Sequence, residues 1–113
     1  MNRDLAYLRH IVDEVDLIKQ FTAGVRREQF DANREKQSAV ILQLSLIGEM
    51  TKRISEETRS KIDLPWKDIA GFRDRAIHDY YTLDINIVWS TVTQDLEIIS
   101  SRIQDWLGTQ NQN

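Results

Sequence analysis

Arg73 and His78 are the two side chains of this 113-residue sequence with the most to offer a reaction. A guanidinium keeps its proton and forks toward two phosphate oxygens at once, while an imidazole gives and takes protons near neutral pH. Five positions apart on a helix they stand about 140° around from each other, so spacing alone does not bring them together. The long reach of arginine, and a helix close to its end at His78, would let the two flank one groove from opposite walls. A second copy of the helix across a two-fold axis would gather two arginines and two histidines in a single cleft. The chemistry suited to such a pair is phosphodiester cleavage in RNA. The imidazole takes a proton from a ribose 2′-hydroxyl or gives one to the leaving oxygen, and the guanidinium holds the phosphate as charge builds on it. No metal is needed, and DNA is refused because it lacks the attacking hydroxyl.

A plainer reading stands beside this one. An arginine and a histidine on a helix commonly pair with a nearby carboxylate, and Asp74 or Asp79 could serve. Tyr80 could be packing with a tethered hydroxyl, and Trp66, Trp89 and Trp106 fall on apolar helix faces as core anchors. His10 reads as a surface histidine, and two histidines far apart in sequence argue against a zinc site. The basic residues Arg26, Arg27, Lys52 and Arg53 are diluted by Glu28, Glu49, Glu56 and Glu57, as on solvated helix faces.

The element that must position the pair breaks its own pattern. On an ideal helix Trp66, Ile69, Ala70, Ala76, Ile77 and Tyr80 fall within a sector of roughly 120°, expected to face the core, and Arg73 sits in its middle. Burying that charge unpaired would cost several kcal/mol, about the penalty for any desolvated ion, so it needs an acceptor, a wet cleft or an anionic ligand.

The remaining chain reads as helical throughout, with four glycines, one proline and no sustained β-branched alternation. Leu5, Leu8, Ile11, Val12, Val15 and Ile18 mark a helix from Asp4 to about Ala23, stopped by Gly24. From Arg27 to about Glu57 a short helix around Phe30 is expected to break between Asp31 and Lys36. A long helix follows, carrying Val40, Ile41, Leu44, Ile47, Met50 and Ile54. Ser60 to Leu64 is a polar connection, a third main helix runs from Pro65 to about Tyr81, and Thr82 or Asp84 caps a last helix from Ile85 to Trp106. Short connections between long helices predict an all-α, up-and-down antiparallel bundle of four main helices plus one short one. It forms one domain over residues 1–107, with a frayed polar tail over 108–113.

Composition is in keeping. Apolar residues at 41% and charged residues at 29% fit a globular domain, and the absence of cysteine excludes disulfides and thiolate chemistry and fits a reducing cytoplasm. No stretch approaches the roughly 18 apolar residues of a membrane span. A net charge of -3 excludes binding nucleic acid through bulk positive charge, so any such contact must be local.

The run Arg73-Asp74-Arg75-Ala76-Ile77-His78-Asp79-Tyr80 has the form Arg-x4-His-x-Tyr, which resembles the HEPN domain of HepT-like toxins from HepT/MntA toxin-antitoxin pairs. Phe30, Ala39-Val40, Ile47-Gly48-Glu49, Pro65-Trp66, Gly71-Phe72, Tyr81 and Val88-Trp89 extend the resemblance over nearly the whole chain. It implies a homodimer with the motifs of both subunits at an interface cleft, and a metal- and cofactor-independent RNase acting on tRNA or mRNA. Arg73 would then bind phosphate, His78 would be the acid-base group, and Asp74 would orient one of them, although asparagine is the more usual residue there. Tyr80 would receive AMP from an MntA-like nucleotidyltransferase antitoxin, blocking the cleft. Met50 departs from the small residue expected after Gly48-Glu49. The contrasting expectation is a non-catalytic module that binds a nucleotide or docks the nucleotidyltransferase.

Overall fold

The computed structural model describes residues 2–110. Helix α1 spans Asn2–Thr22 and ends in a turn at Gly24, whose φ of 71° is a left-handed conformation that suits glycine. The short α2, Arg27–Ala32, is separated from α3, Arg34–Arg53, at Asn33. The Asn33 side chain accepts from the Lys36 N–H, so the expected break is a cap.

Where one helix was expected to continue to Glu57, α3 stops at Arg53 and a separate turn, α4, covers Glu56–Arg59. The cause is a residue far away in sequence. Asp4, buried in the first turn of α1, accepts hydrogen bonds from Ser55 N–H, Ser55 Oγ and Thr58 Oγ1 at 3.0, 2.6 and 2.6 Å. Breaking the helix there also turns Ile54 into the core. The connection that follows is less polar than its sequence implies. Ile62 and Leu64 are both buried, and the Trp66 indole donates to the Arg59 and Ile62 carbonyls.

Helix α5 spans Trp66–His78, shorter at both ends than expected. Pro65 stands just outside it as the cap, and Asp79, with φ -133° and ψ 41°, ends it before a 3-10 turn over Tyr80–Thr82. Asp84 then caps α6, Ile85–Ser90, by accepting from the Asn86 N–H. One wide π turn over Thr91–Asp95 joins α6 to α7, Leu96–Gln110. Thr91 and Thr93 donate their hydroxyls to the carbonyls of Ile87 and Trp89, competing with the normal ladder where it widens. Helix α7 continues through Gly108 to Gln110, three positions into the stretch expected to fray. Residues 111–113 of that stretch lie outside the described residues.

The four long helical elements form the expected all-α bundle. α3 lies between α1 and α5, and α7 returns against α1. Leu8, Ile11, Val15 and Ile18 of α1 meet Val40, Ile41, Leu44 and Ile47 of α3 and Val88, Leu96, Ile99 and Ile103 of α6 and α7. Each such side chain contributes about 1.5–3 kcal/mol on leaving water. Phe30 on α2 closes one end by packing its ring 5.0 Å from that of Trp89. Trp66, Trp89 and Trp106 all pack against this core. Among the described residues no helix is long and apolar enough to cross a membrane.

Candidate functional site

α5 presents a different face to the core from the one its wheel suggested. Phe72 and Ala76 are the buried residues, with Ile69 beside them, while Ile77 is 55% and Tyr80 36% exposed. The expected sector omitted Phe72, whose ring is buried in the interior with Ala76. Arg75 caps its outer face, with the guanidinium 5.9 Å from the ring centre. Arg73 is therefore displaced from the middle of the buried stripe to its edge, where its side chain is 31% exposed.

At that edge Arg73 has partners in its own chain. Its Nε lies 3.1 Å from Glu49 on α3, and its Nη1 donates to the neighbouring Asp74 at 3.3 Å. Asp74 also accepts from Lys52. That bond is the chief reason its carboxyl lies below the usual range; partial desolvation opposes it and Arg73 adds to it. Glu49 in turn faces Arg53, 3.5 Å from its other oxygen. The result is a chain of pairs across α3 and α5 in which three cations alternate with two carboxylates. The bland ion-pair reading is thus met in part by Asp74, and Asp79 takes no part in it. Arg73 is nonetheless not sealed from solvent.

Close approach of the helices sets this geometry. A Cβ on Gly48 would lie 2.6 Å from the Arg73 Cβ and 2.9 Å from the Ile69 carbonyl oxygen, so glycine alone lets α3 lie this close to α5.

Beyond Arg73, a shallow groove of about 370 Å³ runs between α3 and the end of α5. Its rim is apolar and exposed, with Leu42, Leu46 and Ile77 at 56%, 38% and 55%. Tyr80 stands at its far end, and its hydroxyl and Ser38 Oγ share a hydrogen bond of 2.9 Å. The Tyr81 ring meets Tyr80 edge-on at 5.6 Å. His78 closes α5, is exposed, and makes no hydrogen bond or ion pair among the described residues. Within one chain, then, Arg73, Asp74 and Tyr80 border one region, and His78 stands apart at the helix end. Glu49, Lys52 and Ser38 complete the region and were not singled out from sequence. Glu49 and Lys52 read there as solvated charges, because the register between α3 and α5 is not written in either helix alone. Among the described residues no group of His, Asp or Glu could hold a metal ion.

An all-α bundle that exposes an Arg-x4-His-x-Tyr motif at the end of one helix defines a class, and comparison with known proteins names it. Residues 11–105 match the family model described as ribonuclease HepT-like, and the chain belongs to that family. A probable ribonuclease HepT of Thermococcus cleftensis is 33% identical over 99 residues, covering 87% of this chain and 90% of its own. A Methanocaldococcus jannaschii protein described as a candidate RNase is 36% identical over 104 residues, covering 90% of each chain. One from Caldanaerobacter subterraneus subsp. tengcongensis, described the same way, is 31% identical over 102 residues, covering 89% and 91%. No solved structure matches.

Proposed function

We propose that this protein is a metal-independent endoribonuclease of the toxin type, active as a homodimer. The observation that carries the reading is the placement of Arg73 at the core edge, held by carboxylates yet open to solvent, beside an unpartnered apolar groove. A second copy seated on Leu42, Leu46 and Ile77 would bury that groove and bring the second motif helix alongside the first.

In the cleft so formed, Arg73 holds the scissile phosphate. His78 takes the proton of the ribose 2′-hydroxyl, and the oxygen forms a bond to phosphorus. The bond to the 5′-oxygen breaks, and that oxygen receives a proton from the imidazole of the second copy. The products are a 2′,3′-cyclic phosphate and a free 5′-hydroxyl. Asp74 orients Arg73 through the bond at Nη1. We further propose that Tyr80 is the switch. Its hydroxyl attacks the α-phosphate of ATP bound by a nucleotidyltransferase antitoxin of the MntA kind and releases pyrophosphate. The AMP left on Tyr80 then sets negative charge and bulk beside Arg73.

The test is incubation of the purified protein with tRNA and with mRNA in the presence of a chelator. Cleavage with 2′,3′-cyclic ends is expected, falling about a hundredfold or more in Arg73→Ala and in His78→Ala. Undiminished cleavage in both variants refutes the assignment. The ion pairs of Arg73 within its own chain favour one alternative, a non-catalytic module that only docks the nucleotidyltransferase. That alternative predicts no growth defect when the protein is expressed without its partner.

A further inference from the structure

We propose that Glu49 is a positioning residue for Arg73: it holds the guanidinium by Nε and leaves the Nη2 end to meet a phosphate. The inference rests on the reading of Arg73 as the phosphate-binding group.

Three observations converge on it. First, the contact is fixed by backbone geometry. Gly48 brings α3 to within a methyl group's width of Arg73, and the next residue, Glu49, is thereby delivered to its side at 3.1 Å. Second, Glu49 is itself held, since its other oxygen faces Arg53 at 3.5 Å, and its side chain is two-thirds buried at 32% exposure. Third, the contacts leave part of the guanidinium free. Glu49 pairs with it at Nε and Asp74 accepts from Nη1, while no ion pair or hydrogen bond is recorded at Nη2 among the described residues.

The charges agree with this arrangement. Lys52, Arg53 and Arg73 against Glu49 and Asp74 leave one positive charge in excess, so the network orients the guanidinium without cancelling its attraction for an anion. A partly exposed ion pair of this kind adds little to folding stability. Its larger effect is on orientation, because a misplaced catalytic group costs about a hundredfold in rate for an ångström of error.

The experiment compares the parent chain with Glu49→Ala and Glu49→Gln in three measurements: kcat and KM on RNA, melting temperature, and hydrogen exchange of the Arg73 Nε–H by nitrogen-15 NMR. In Glu49→Ala, kcat is expected to fall about tenfold to a hundredfold with KM and melting temperature nearly unchanged, and Nε–H exchange to speed up. Glu49→Gln keeps an acceptor for Nε and should restore most of both losses. A lower melting temperature with unchanged kcat would overturn the inference in favour of a structural pair. Tighter RNA binding with undiminished kcat would overturn it in favour of a carboxylate that competes with the phosphate. If the parent does not cleave RNA, the ribonuclease reading fails by itself. The Nε–H measurement then decides alone: protection lost in Glu49→Ala supports the inference, and equal exchange in parent and variant overturns it.

Discussion

At the scale of single residues, two carboxylates show how burial and partnership pull in opposite directions. Burial pushes the Asp4 carboxyl up, but the hydrogen bonds from Ser55 Oγ, Thr58 Oγ1 and Ser55 N–H outweigh it, and the group lies below its ordinary range. Glu14 has no such donors among the described residues. Desolvation raises it, Asp13 adds to the rise, and His10 only partly relieves it. For Asp4 the sign follows from linkage: a lowered folded-state value adds stability that is complete above the ordinary carboxyl range and is lost as pH falls through the lowered value. Asp4→Asn should therefore cost about 1–3 kcal/mol at neutral pH, the range for a buried charge-assisted bond left unmade. Its melting temperature should also fall less steeply than the parent's below about pH 5, as thermal denaturation across pH would show. None of this was visible in sequence. Asp4 looks like any acidic residue in a first helical turn, and the donors that distinguish it lie more than fifty positions on.

At the scale of elements, the contact of α3 with α5 decides the geometry of the site. Gly48→Ala puts a methyl group against the Arg73 Cβ and the Ile69 carbonyl, so the helices must separate. The expected cost is about 1–3 kcal/mol in denaturant unfolding, with loss of any activity that depends on Arg73 larger than stability alone explains. Helix positions were legible wherever apolar periodicity ran unbroken, as in α1 and in α6 with α7. The break between α2 and α3 was legible within Asp31 to Lys36 from the length of the stretch, while its place at Asn33 is set by the capping bond to Lys36. The face of α5 was not, because a wheel cannot tell which apolar residues meet the neighbouring helices, and packing buries Phe72 while leaving Ile77 exposed. The partners of Arg73 were hidden for a related reason: helices from separate parts of the chain meet in a register that packing alone sets.

For the molecule as a whole, the exposed strip of Leu42, Leu46 and Ile77 is the feature a monomer does not explain. Leu46→Glu should convert a sedimenting dimer to monomer and reduce RNA cleavage along with it, since the proposed cleft needs two copies of the motif helix. A variant that stays dimeric at micromolar concentration would place the interface elsewhere. His78 explains why the site was only half readable. The motif names it, yet within one chain it is exposed and makes no hydrogen bond or ion pair among the described residues that would show its role.

The clamp at Asp4 also bears on how the molecule comes into being. Its acceptor precedes its donors in the chain by 51 to 54 positions. During synthesis α1 therefore lacks these donors until the chain has been made through Thr58. Closing so long a loop carries an entropic cost that grows only slowly with its length. Because α7, which also packs on α1, is made later still, the donors of this contact emerge before the bundle can be completed.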